Sequence, residues 1–163
     1  MGQTVDTYEG GKDLGSVNST KTGFYMRKFL DEGAKWFGVT GQTYHCFPII
    51  RYAEVLLNYA EAMNEAYGAE LDPKGYGLTA KQAIELIRER AGLSPYVIES
   101  GLSQSDMRSV IRHERQIELA FEEHRHLDVR RWNIAEETLG GTIYGLRTVM
   151  NEDGTFTYSK VEV

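Results

Sequence analysis

Residues 108–132 read RSVIRHERQIELAFEEHRHLDVRRW, a helical pattern with carboxylates where a core belongs. On a wheel of about 100° per residue, Met107, Val110, Ile111, Ile117 and Phe121 gather on one side. Glu114 and Glu118 fall near the middle of that side, and Arg125 joins them if the helix runs on. Solvated charges have no reason to sit there. A buried carboxylate is costly unless it is paired and hydrogen-bonded, so this segment predicts specific partners for its charges. Arg51, Arg88, Arg90, Arg125 and Arg131 can supply them. We therefore expect structural ion pairs among Arg51, Glu114, Glu118, Arg125, Asp128 and Arg131.

The catalytic alternatives are weaker. Glu114 and Glu118 stand one helical turn apart on a single helix face, about 6 Å between Cβ atoms. Glycosidase carboxylates instead flank a cleft from opposing sides. Asp128 with Arg130, Arg131 and Trp132 could bind an anion, but the simpler expectation is that Asp128 caps or pairs locally while Trp132 fills a gap in the core. Glu123 and His126 make one Glu-x-x-His, a spacing that di-iron bundles use twice, and the second copy is missing. No metal site is expected. Cys46 follows His45 directly, which is not the geometry of a base-activated thiol, and no glycine run has phosphate-loop spacing. No catalytic residue and no cofactor follow from these patterns.

A formal charge of −6 and a pI near 5.3 argue against nucleic acid as a partner. A single cysteine cannot form an internal disulfide. No apolar run approaches the roughly 20 residues of a membrane-spanning helix, and the start has neither a basic nor an apolar signal region. At 163 residues the chain suits one domain with a real core.

Along that domain, residues 1–47 read as a loop-rich opening, with a short strand from Gly23 to Phe29. Residues 48–139 read as a helical scaffold. Its first helix is expected over Ile50–Tyr67, with Tyr52, Val55, Leu56, Tyr59, Ala60, Met63 and Tyr67 as the apolar stripe. Glu54, Asn58, Glu61 and Glu65 take the opposite side, and Gly68 is a natural stop. Thr79 can cap a second helix over Ala80–Ala91 that buries Ala83, Ile84, Leu86 and Ile87. Two amphipathic helices with so short a link should pack antiparallel. A long third helix begins at Ser103 or Ser105, and a short helical stretch can reach Leu139 after Trp132. Residues 140–163 suggest a hairpin, with strands over Thr142–Met150 and Thr155–Val163 around a turn at 151–154. The fold class expected is mainly α: a TPR-like helix pair, a long third helix, irregular loops and a short β-hairpin.

Ten tyrosines and two tryptophans could stack on sugars, although most of them lie on the helix stripes. Trp36 and Tyr44 fall in a loop, where function tends to sit, and are the candidates for carbohydrate contact.

Four blocks resemble a known family. PIIRYAEVLLNYAEAMNEA (Pro48 to Ala66), AIELIRERAGL (Ala83 to Leu93) and IRHERQIELAFEEHRHLDVRRW (Ile111 to Trp132) are similar to the C-terminal part of SusD/RagB proteins. TGFYMRKF (Thr22 to Phe29) is similar to a short stretch that those proteins carry upstream. The resemblance implies a surface-exposed outer-membrane lipoprotein of Bacteroidetes-type bacteria. Such a protein captures oligosaccharides and sits as a lid on a SusC-type TonB-dependent transporter, without catalysis. It implies a helical TPR-like scaffold, of which 50–67 and 80–91 would be one unit. It also implies a longer protein, of which this would be a piece incomplete at both ends: the lipid-attachment cysteine, the N-terminal half and the usual family ending have no counterpart here. The alternative reading is a TPR-like adaptor that binds peptide on a concave face.

Overall fold

The computed structural model describes residues 5–15, 17–31 and 46–163. These form two compact units, one of Pro48–Asn133 and one that joins the described residues before Pro48 to Ile134–Val163.

The first unit is helical: α1 (Tyr52–Tyr67), α2 (Ala80–Arg90), α3 (Gln104–Glu118) and α4 (His124–Arg131). Gly68 ends α1 at φ 90°, where its N–H reaches the Asn64 carbonyl. Thr79 starts α2 with a complete capping box: its hydroxyl accepts from the Gln82 N–H while the Gln82 side chain accepts from the Thr79 N–H. Ser103 caps α3 by accepting from the Asp106 N–H. Within the α1–α2 link, Asp72 accepts from the N–H groups of Tyr76 and Gly77 and so folds the turn upon itself.

Side-chain contacts fix the helix directions. Arg51, at the start of α1, and Arg90, at the end of α2, both reach Glu118 at the end of α3. At the other end, Asn64 of α1 donates to the Gln104 carbonyl, and Gln104 donates back to the Asn64 carbonyl, at 3.0 and 2.7 Å. Hence α1 runs antiparallel to both α2 and α3. Ala60, Ala80 and Ala83 are fully buried, and such small side chains let α1 and α2 approach closely. Leu57, Ile84, Ile87, Met107 and Ile111 fill the rest of one core.

The buried face of α1 is rotated from the expected stripe. Ala53, Leu56, Leu57, Ala60, Met63 and Asn64 are buried, whereas Tyr52 is 73% exposed and Val55 50%. The reason is that α1 packs against α2 and α3 together, so its buried arc centres between them, on Leu57, Ala60 and Asn64. Leu86 of α2 is likewise exposed.

The third helix is shorter than the periodicity suggests. It stops at Glu118, and residues 119–123 form a turn before α4. Phe121 and Glu123 take left-handed backbone angles, at φ 65° and 64°, without a glycine to signal the break. The wheel drawn from Met107 through Arg125 therefore loses its phase. Phe121, past the break, comes out exposed; within α3 itself Ile117 is exposed and Arg115 is buried among the helices.

In the second unit, β1 (Tyr144–Met150) and β2 (Phe156–Glu162) pair antiparallel, from Tyr144 opposite Glu162 to Met150 opposite Phe156. Asn151 and Asp153 close the turn through Thr155. A short α5 (Ala135–Leu139) precedes the hairpin. Gly23–Phe29 is not a strand. The Leu146 N–H donates to the Thr22 carbonyl, but Gly23 turns away at φ 78° and Phe29 at φ 65°. A Cβ on Gly23 would lie 2.2 Å from the Leu146 carbonyl oxygen, so glycine is needed there for close approach as well as for conformation.

The faces of α1 give a direct test. Leu57→Ala removes a side chain with no exposure and is expected to cost about 2–5 kcal/mol in urea unfolding. Val55→Ala should stay within about 0.5 kcal/mol. Equal costs at the two positions would mean that the buried face is assigned wrongly.

Candidate functional site

Three carboxylate–arginine groups hold the helical unit together, and the last of them borders a cavity. At one end, Arg51 spends its whole guanidinium fork. Nε and Nη2 donate to Glu122 at 2.8 and 2.7 Å, Nη1 donates to the Glu118 carboxylate at 2.8 Å, and Nη2 also reaches the Glu118 carbonyl at 2.9 Å. Hydrogen bonding to Glu122 holds Arg51 above the ordinary guanidinium range, with burial opposing and Glu118 adding to the rise. Arg90 brings a second, mostly exposed cation to Glu118 at 2.7 Å. Beside this group, Arg88 of α2 donates to Glu114 of α3 at 2.7 Å.

The central pair is Arg115 and Asp128, 5% and 4% exposed, joined at 2.6 Å. Arg115 also donates to Asn58 at 2.7 Å, so it ties α3 to α1 and α4 at once. Asp128 accepts a second guanidinium, from Arg131 at 3.1 Å.

From Arg131 the network opens into a cavity of about 260 Å³ lined by Glu61, Glu65, Arg108, Arg112, Arg131 and Trp132, with Ile111. Glu61 accepts both terminal nitrogens of Arg131 and the Trp132 indole N–H, the last at 2.9 Å. Glu65 accepts a two-pronged pair from Arg108 at 2.6 Å each. The guanidinium carbons of Arg112 and Arg131 lie 5.0 and 4.8 Å from the Trp132 ring centroid. Burial pushes the Glu61 carboxyl upward, but the bonds from Arg131 and Trp132 outweigh it and hold the group below the usual carboxylate range. Hydrogen bonding from Arg108 lowers Glu65 in the same way. Carboxylates held so firmly in the ionised form are poor general acids. The arrangement suits recognition of charge and shape.

The charged residues singled out by their pattern thus separate in space. Arg51 and Glu118 meet, Asp128 and Arg131 meet, and Glu114 finds Arg88. Arg125 is half-buried on α4 and makes no ion pair with the described residues. Asp128 pairs rather than caps, and Trp132 lines a cavity instead of filling a gap. Trp36 and Tyr44 lie outside the described residues. Among the described residues, no three His, Cys, Asp or Glu side chains group as a metal site would require. Glu61, Glu65, Arg108, Arg112, Arg115 and Glu122 also belong to these groups, and the apolar helix wheel does not single them out. A signal for them exists: the α1 stripe Asn58, Glu61, Glu65 has helical spacing, as does the α3 stripe Arg108, Arg112, Arg115. Opposite charges at matching intervals predict contact between helices.

Arg115→Met leaves Asp128 buried without its strongest donor, and a loss of about 3–5 kcal/mol in urea unfolding is expected. Arg90→Ala, at an exposed partner, should cost less than about 1 kcal/mol. Acid should act through Glu61 and Glu65. Both native carboxyls lie below their unfolded values near about 4.3, so the unfolded chain binds more protons in that range. Their stabilisation is complete above the unfolded value and lost as pH falls through the native ones. Unfolding measured from pH 6 to pH 3 should have a shallower slope in a Glu61→Gln, Glu65→Gln variant.

A sequence model of the SusD family matches residues 2–162. The chain is 38% identical over 114 residues to the SusD-like protein P2 of Formosa agariphila, a match covering 67% of this chain and 21% of that protein. A crystal structure of a SusD-like protein from Bacteroides fragilis is 42% identical, with a TM-score of 0.53, over 70% of this chain and 20% of that one. The chain therefore spans about a fifth of the length of these relatives. With the family match running through both units, the chain belongs to the SusD family.

Proposed function

We propose that this chain is part of a non-catalytic, oligosaccharide-binding component of an outer-membrane nutrient-uptake system. In this reading it works beside a SusC-type TonB-dependent transporter, which takes over the captured glycan. The observation that carries the reading is the family match over residues 2–162, joined to the 38% and 42% identities. The site chemistry is compatible with it: the Glu61 and Glu65 carboxyls are held below the usual carboxylate range, and the cavity is lined by an aromatic ring and three arginines. Attachment to the outer membrane would rest on a lipid anchor. No helix among the described residues is long and apolar enough to cross a membrane.

Trp36 and Tyr44 are the aromatics proposed for sugar stacking and the first to vary. The test is calorimetric titration of the protein carrying this chain with a panel of neutral and acidic oligosaccharides. Saturable binding to at least one glycan is expected, as is co-purification with a TonB-dependent transporter. Tight peptide binding without any glycan binding would favour the TPR-like adaptor instead.

A further inference from the structure

The cavity at Trp132 has one cation too many. Three arginines line it against two glutamates. Arg108 is neutralised by Glu65, and Arg131 by Glu61 and Asp128. Arg112 has no ion pair among the described residues, and its Nε is sealed from solvent without an acceptor. Its guanidinium instead lies near the Trp132 ring, 5.0 Å from carbon to centroid, beside the second guanidinium of Arg131. Two guanidiniums are thus gathered on one ring, and one of them, Arg112, has no carboxylate partner among the described residues. A planar fork held near an aromatic ring suits two-pronged recognition of a carboxylate. The two carboxylates that line the cavity are bonded to the other two arginines, Glu65 to Arg108 and Glu61 to Arg131.

We infer that this cavity is a subsite for the carboxylate of an acidic sugar, with Arg112 as the principal contact and Trp132 beside the sugar ring. The inference rests on the glycan-binding reading and narrows it to uronate-containing oligosaccharides. At about 260 Å³ the space is smaller than a typical drug-sized pocket and suits a single ring better than a chain. Glu61 and Glu65 hold Arg131 and Arg108 in place, which leaves the Arg112 charge to the ligand.

The test titrates the complete chain with trisaccharides of galacturonate and of glucuronate, alongside their carboxyl-reduced neutral counterparts. At least one acidic trisaccharide is expected to bind, its reduced form about tenfold more weakly or worse, in line with loss of a charge-assisted hydrogen bond. Arg112→Gln should erase that difference, and Arg112→Lys should restore part of it. Unchanged urea unfolding in both variants separates this from a folding defect. Added salt should weaken the acidic ligand more than the neutral one. Equal binding of acidic and reduced forms, or full acid preference in Arg112→Gln, overturns the inference while glycan binding stands. Failure of every oligosaccharide, neutral or acidic, overturns both.

Discussion

The helical unit depends on the arginine–carboxylate contacts that cross from α1 and α2 to α3 and α4. Glu118 alone receives Arg51 from the start of α1 and Arg90 from the end of α2. Arg115 reaches Asn58 and Asp128 from a position in the middle of the packing. Apolar contacts are tolerant of small sliding motions, because one methyl group substitutes for another. A two-pronged guanidinium is not, since a shift of one turn would leave buried charges unpaired. These pairs add little net stability over apolar residues of the same size, because burial of both ions offsets most of their attraction. What they set is register: each of these helices has one position at which its buried pairs can all form.

That constraint also accounts for the turn between α3 and α4. Glu122 and Asp128 must both face inward, the first toward Arg51 and the second toward Arg115. The left-handed angles at Phe121 and Glu123 change the direction of the chain between these two demands. Backbone strain at non-glycine residues is accepted where the surrounding contacts determine the conformation. The side chain that loses by it is Phe121, which is left 64% exposed. The same ladder, continued to Arg131, positions Glu61 and Trp132 and so shapes the cavity. The cavity is a continuation of structural ion pairing, in which Arg112 has no carboxylate partner among the described residues.

Much of this is legible in the residues themselves, for reasons that are local. The stop at Gly68, the caps at Thr79 and Ser103, and the hairpin turn at 151–154 follow from backbone geometry within a few residues. So does the mainly helical class, since hydrophobic spacing near 3.6 depends on one element at a time. The need for partners at Glu114 and Glu118 is also local, because their place among apolar neighbours is visible on a single helix wheel. The family follows from blocks of sequence in order.

Only the tertiary structure decided which partner answers which charge. Arg51 and Glu122 stand 71 residues apart, and no periodicity within either segment selects one arginine over another. It decided which face of α1 is buried, because that depends on two neighbouring helices at once and so moved the centre from Tyr52 and Val55 to Leu57 and Asn64. It ended α3 at Glu118, where no glycine or proline marks a break. And it placed Glu61, Arg112 and Trp132 around one cavity. Residue chemistry specifies what each side chain requires; the packing of four helices determines what each one meets.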